Sequence, residues 1–297
     1  MSLKDYIKGF FEFYNYNEED SEFLINTYEK ITNNSETSKL LDQAMELYNK
    51  SVNCDYNKII AIADEIATAL YLHEFTVEFL IFVCLSKRAE KAYAEKGIAS
   101  EIFQENMLDL KYKLDECKLV YNIVGSFVPE WFVGFFDVTR FTFGRLQFEL
   151  KDFDKNYEKD GRVLTNGSKV VNIHIPRSLK PLDEKSCDEA FLMAKEFYKD
   201  EFEQYIPFYC NSWILYPENK NILHEKSNTY RFMSRFEIIN EYADKNFDNL
   251  WRIFDTMERH PDKLPEKTLI QKAYKAHLKN GGKMGSGEGL FFVSKDK

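Results

Sequence analysis

The chain has 297 residues, 16% of them Phe, Trp or Tyr, and 40 Lys+Arg against 49 Asp+Glu, for a formal net charge of −9. A hydrophobic fraction of 44% with 30% charged residues excludes disordered and collagen-like classes and points to a soluble globular protein. The acidic balance argues against a nucleic-acid partner, and no apolar run reaches the roughly 18 residues of a spanning helix, so no membrane partner is expected.

The first residues, Met-Ser-Leu-Lys-Asp, lack a basic segment followed by an apolar one, and no signal peptide is expected. Five cysteines (Cys54, Cys84, Cys117, Cys187, Cys210) form no C-x-x-C motif. An odd count without close spacing fits free thiols in a reducing, cytoplasmic compartment better than disulfides or a zinc knuckle.

Composition changes near residue 126. Residues 1–125 hold no proline and carry 13 basic and 22 acidic residues, net −9. Residues 126–297 hold all seven prolines and eight of the nine arginines, with 27 residues of each sign. We therefore expect a helical N-terminal domain at 1–125 and an α+β domain at 126–297. Arginine is the residue of bidentate anion contacts, so the second part is the better place for an anionic ligand.

In the first part, apolar residues recur at helical spacing in Phe23, Leu24, Tyr28 and Ile31, behind an Asn17 N-cap and an acidic first turn. Ser35 and Asp55 are expected to cap two further helices. A more apolar helix spans about Thr76 to Ala94 and stops at Gly97, and another starts at Ser100. The result is a bundle of five or six helices without a catalytic constellation. His73, followed by Glu74, is not part of H-E-x-x-H, because position 77 is Val, and it reads as structural.

The second part changes period. Thr139–Phe148 alternates as a strand with a bend at Gly144, and Lys169–Ile175 alternates as a second strand. A polar link between them, 151–168, carries Asp160-Gly161 and Asn166-Gly167 turn signals. Asp183 to Phe202 reads as an amphipathic helix. Asn211–Leu215 and Arg231–Ile239 read as strands, Glu266–Lys279 as a helix and Leu290–Val293 as a terminal strand. The order gives an α+β domain, a mainly antiparallel sheet with packed helices. The segment Asn280–Gly289 holds five of the twelve glycines but lacks the spacing of a phosphate-binding loop. It is expected to be a helix stop leading into a hairpin, or a flexible lid.

The most informative stretch runs from Val170 to Asp183: a strand, a short loop with Pro176, Arg177, Lys180 and Pro181, then a helix start. Unpaired N–H groups and the dipole at a helix start attract phosphate. Asp183 and Glu184 stand at the same place, and as caps they would satisfy those N–H groups instead.

The runs Phe143-Gly-Arg-Leu-Gln-Phe-Glu149, Val171-Asn-Ile-His-Ile-Pro176 and Ser212-Trp-Ile-Leu215 resemble the GNAT-like C-terminal domain of a bacterial acyltransferase family that carries a helical N-acyltransferase domain in front. The resemblance implies a GNAT-like sheet and acyl transfer from acetyl-CoA or another acyl-CoA, without a metal, to a small-molecule amine or peptide acceptor. In such folds the pantetheine arm pairs with one of two splayed strands. Here that implies Ile173 and Ile175 on the first strand, Arg177, Ser178 and Lys180 in the diphosphate loop, and Asn211 and Trp213 on the splayed partner. The loop carries none of the glycines that such loops usually have. Aminolysis of a thioester needs a base, donors for the oxyanion and an acid for the leaving thiolate. His174 and Glu149 are the candidate bases, backbone N–H groups near Ile175 the oxyanion donors, and Tyr216 the candidate acid. A non-catalytic GNAT-like binding module with a helical docking domain is the alternative reading.

Overall fold

A computed structural model describes residues 1–50 and 54–296. The chain divides into two compact units, Met1–Phe141 and Thr142–Lys297.

The first unit is helical: α1 (Leu3–Phe13), α2 (Glu18–Asn33), α3 (Ser35–Lys50), α4 (Tyr56–Leu70), α5 (Glu74–Glu95), α6 (Ser100–Tyr121) and the single turn α7 (Val133–Phe136). Asn17 and Asp55 cap α2 and α4 as expected, accepting from the amides of Asp20 and Lys58. The cap of α3 is Asn34, one residue before the expected Ser35, because its Oδ1 takes the amides of Glu36 and Thr37 at 3.0 and 3.1 Å. His73 caps α5, its Nδ1 accepting from Phe75 N at 3.2 Å, and so has a structural task. α5 is the central helix: every residue from Val77 to Leu85 is buried, the pattern of a helix surrounded on all sides.

The segment 126–141, assigned from composition to the second part, clusters with the helices. Its aromatic side chains are the reason. Phe132, Phe135 and Phe136 are buried, and the rings of Phe132 and Phe136 meet Phe82 of α5 edge-on at 5.2 and 5.1 Å. Tyr93 donates its hydroxyl to Phe135 O at 2.8 Å.

The strands are β1 (Arg140–Phe143), β2 (Leu146–Asp152), β3 (Tyr157–Lys159), β4 (Arg162–Leu164), β5 (Lys169–His174), β6 (Tyr205–Ser212), β7 (Glu237–Asp244) and β8 (Met284–Ser294). Between them lie α8 (Glu184–Tyr198), α9 (Asn219–Ile222), α10 (Asn228–Met233), α11 (Trp251–Phe254) and α12 (Leu269–Lys279). Six strands form one sheet in the order β1-β2-β5-β6-β8-β7, and β3 and β4 form a separate hairpin. β5 and β6 run parallel, while β2 with β5, β6 with β8 and β7 with β8 run antiparallel. α8 covers one face, its Phe191 packed against Phe148, Phe208 and Phe291 from three strands. The other face carries Val170, Tyr209 and Leu290, buried with Phe153 and with Leu164 of the hairpin.

Several boundaries differ from the sequence reading. Thr139–Phe148 is two strands, because Gly144 takes φ +60° and turns the chain. The link 151–168 holds the hairpin, turned by Asp160 and Gly161 at φ +50° and +75°. Of Asn211–Leu215 only Asn211 and Ser212 are strand, the end of β6. β6 ends at Ser212, whose Oγ accepts from Ile214 N at 3.2 Å and starts a single 3-10 turn, Trp213–Leu215. Arg231–Ile239 is the end of α10 followed by the start of β7. The glycine-rich segment stops α12 as expected, with Gly281 and Gly282 in the turn, but it forms no lid, since Gly285, Gly287 and Gly289 lie within β8. A Cβ on Gly287 would stand 2.2 Å from Leu215 O, so glycine lets β8 press on the turn that ends β6.

Candidate active site

Glu149 faces Asn172 in the β2–β5 register, and His174 follows two residues on, on the same face of the sheet. His174 Nε2 lies 2.7 Å from Glu149 Oε1. Asn172 Nδ2 lies 3.1 Å from the same oxygen and 3.0 Å from His174 Nε2. At 2.7 Å from a carboxylate oxygen His174 Nε2 is assigned as the donor, and Asn172 Nδ2–H donates to the same oxygen, which leaves the two nitrogens of Asn172 and His174 adjacent without a hydrogen bond between them. Nδ1 then carries the imidazole lone pair, and the carboxylate stabilises an imidazolium when one forms. Asn172 is buried, while the His174 and Glu149 side chains are about one-fifth exposed, so the pair opens to solvent on one side. Asn172 was not among the residues singled out from sequence. Its only signal was the alternation that puts it on the face of His174.

The β5–β6 ladder is short. Its register covers Val171↔Phe208 and Asn172↔Tyr209. Beyond it, β5 continues through Ile173 and His174 and β6 through Cys210 to Ser212 without further ladder pairs among the described residues. β2 still pairs with β5 as far as Gln147↔His174, and β8 with β6 as far as Ser212↔Gly287. Each strand is thus held from its outer side where the inner ladder has stopped.

The loop after β5 is anchored within the unit. Arg145 donates to Pro176 O at 2.9 Å, and Lys180 Nζ reaches Gly144 O at 3.4 Å. Ser178 Oγ accepts from Lys180 N at 3.2 Å, a local turn. Arg177 forms an ion pair with Asp255. Of the two readings of the start of α8, the structure shows the cap. Asp183 caps the helix, its Oδ1 accepting from Ser186 N at 2.8 Å, and hydrogen bonds from Ser186 hold its carboxyl below the usual carboxylate range.

On the β6 side, Asn211 Oδ1 accepts from Tyr242 Oη at 2.6 Å. Trp213, expected on the splayed strand, lies in the 3-10 turn and packs edge-on against Tyr274 at 6.0 Å. Tyr216 is buried beside the strand segment at Gly285. Burial, then the charges of Glu218 and Glu241, raise its hydroxyl pKa, so it stays protonated at neutral pH. Burial pushes the Cys210 thiol up to about 12, which removes it as a nucleophile at neutral pH. Among the described residues no group of three or more His, Cys, Asp or Glu side chains is placed to hold a metal ion. A cavity of about 670 Å³ lies in the helical unit between Tyr48, Lys87, Lys91 and Phe136, and among the described residues its lining holds no histidine.

A mixed sheet whose central parallel ladder stops after two register positions, with a helix across one face and a His–Glu pair at the open end, defines a GNAT-like domain. The chain matches the GNAT-like C-terminal domain over residues 141–291 and the N-acyltransferase N-terminal domain over residues 5–138, and it belongs to the family built from these two domains. The fold is similar to the crystal structure of an acyltransferase in complex with decanoyl-CoA and teicoplanin, with TM-score 0.72 and 19% identity over 96% of this chain and 86% of that one. It is also similar to an acyltransferase in complex with CoA and 10C-teicoplanin, with TM-score 0.64 and 18% identity over 97% and 99%. At these identities the likeness is one of fold. No curated protein matches the chain.

Proposed function

We propose that the chain is an N-acyltransferase that moves an acyl group from acyl-CoA to an amine by direct attack. The observation that carries this reading is the Glu149–Asn172–His174 triangle at the open end of the β5–β6 ladder. An extended pantetheine arm can add to β5 beyond that ladder through backbone hydrogen bonds, past Ile173 and Ile175, which sets its thioester beside His174. The decanoyl-CoA and CoA held by the similar folds support an acyl-CoA donor, and the teicoplanin held with them supports a small-molecule or peptide acceptor. With the start of α8 capped, the donor's diphosphate falls to the loop of Ser178 and Lys180 and to Arg177, where it replaces Asp255 as partner.

The acceptor, having lost its ammonium proton to solvent, attacks the thioester carbonyl. His174 Nδ1 takes a proton from the nitrogen as the C–N bond forms, and Glu149 steadies the imidazolium. Backbone N–H groups near Ile175 and the side chain of Asn211 face the developing oxyanion. The C–S bond then breaks, Tyr216 gives its proton to the thiolate, and solvent restores both groups. Five free cysteines, four of them buried, support a cytoplasmic setting.

The test is release of the coenzyme A thiol from decanoyl-CoA in the presence of an amine. Release that rises with amine concentration is expected. No amine-dependent release with any acyl-CoA would leave a binding module in place of an enzyme.

A further inference from the structure

We propose that Glu288 of β8 is the acceptor subsite: it receives the ammonium of a primary alkylamine, and the Lys155 side chain that lies on it is a tethered occupant of the same place. This inference rests on the N-acyltransferase reading and deepens it.

Register places Glu288. It stands opposite Asn211 of β6 and Asn240 of β7. Residues opposite one another in a sheet share a face, so the chain of partners Glu149↔Asn172↔Tyr209 fixes that face on β6, and Asn211↔Glu288 lies on it one alternation further on. Extending the β5–β6 register past the ladder brings His174 level with Asn211. His174 and Glu149 therefore stand on one bank of the gap, with Asn211 and Glu288 on the other. Two strand spacings, on the order of 10 Å, separate the imidazole's strand from the carboxylate's.

The carboxylate is held by the sheet and its cation is not. Glu288 accepts hydrogen bonds from Tyr209 and from Asn240 Nδ2, the latter at 3.4 Å, and both partners come from neighbouring strands. Lys155 comes from the link between β2 and β3. The Glu288 side chain is 8% exposed and that of Lys155 33%, so the lysine covers the carboxylate from outside. Lys155 also lies 3.3 Å from the exposed Asp154, and can swing to that carboxylate without losing an ionic partner. A buried carboxylate left without a cation is strongly unfavourable, so a vacated Glu288 selects a ligand that brings charge and N–H donors together. A primary ammonium supplies both, whereas a quaternary ammonium lacks the donors and an alcohol lacks the charge.

Thermal unfolding of the full chain tests this without needing turnover. In Lys155→Ala, n-butylammonium chloride is expected to raise the midpoint by several degrees, and tetramethylammonium chloride at the same ionic strength to leave it unmoved. The double variant Lys155→Ala with Glu288→Gln is expected to lose the response. Equal shifts from the two salts, or an undiminished response in the double variant, would overturn the subsite. Should Lys155→Ala not fold, the wild-type chain and Glu288→Gln are compared in the same titration, and equal responses overturn the proposal. In turnover with decanoyl-CoA and n-butylamine, Glu288→Gln is expected to raise the amine KM at least 10-fold while the acyl-CoA KM stays within twofold. An unchanged amine KM overturns the proposal. A chain that binds n-butylammonium at Glu288 yet transfers no acyl group would sink the enzyme reading alone.

Discussion

The nitrogen of His174 that carries the lone pair decides what the site can do. In the assigned tautomer Glu149 takes the Nε2 hydrogen and Asn172 shares the same oxygen, which leaves Nδ1 as the basic nitrogen. Replacing His174 by Ala should lower kcat by roughly 10² to 10⁴ fold, the range of a lost general base, while acyl-CoA affinity stays within about twofold. Steady-state kinetics with the acyl-CoA varied separates the two. Equal turnover in the variant would remove His174 from the mechanism. Both members of this pair were legible in the sequence, because alternation put each near the end of a strand. Their bond to one another was not, since nothing in a single sequence sets the register of β2 on β5. The Asp183 cap was equally legible: an acidic residue directly before an amphipathic helix competes with phosphate for the same amides, and here it holds them. Trp213 lies off the strand because Ser212 turns the chain with its own hydroxyl, a local hydrogen bond that competes with strand extension.

At the scale of elements, β8 shows how composition can mislead. Glycine clusters usually mark loops, but here the small residues let a strand lie against the 3-10 turn after β6. Gly287→Ala would drive a methyl group onto Leu215 O and should cost roughly 1–3 kcal/mol, as overpacking does. Gly9→Ala in α1 meets nothing within 4 Å and should instead stabilise by roughly 0.5–1 kcal/mol. Urea midpoints for the pair check both signs, and a neutral Gly287→Ala would refute the close-contact account. α5 carries a second testable feature. Glu78 is buried, and burial followed by the neighbouring Asp64 pushes its carboxyl up to about 8. The folded state therefore binds a proton that the unfolded chain has released, and this contribution to stability fades as pH rises from the ordinary carboxylate range through about 8. Glu78→Gln should be more stable than wild type at pH 8 and should flatten the fall between pH 5 and pH 8. Parallel pH profiles for the two proteins would contradict this.

For the whole molecule, composition and period carried most of the class: a proline-free acidic helical part, then an electrically balanced α+β part with nearly all the arginines. The boundary moved because aromatic residues between 126 and 141 find their partners on α5, and a composition shift records where prolines begin rather than where side chains pack. Strand order and the two-position β5–β6 ladder were out of reach, since long-range pairing leaves no periodic trace. Yet the proposed thioester slot rests on that short ladder. The most direct measurement is the thermal unfolding midpoint titrated with decanoyl-CoA. Binding to the folded chain at 100 times Kd contributes about 2.7 kcal/mol, a rise of several degrees for a protein of this size. We predict that rise with decanoyl-CoA and a smaller one in Arg177→Ala. A midpoint that stays put with coenzyme A, acetyl-CoA and decanoyl-CoA alike would contradict the account.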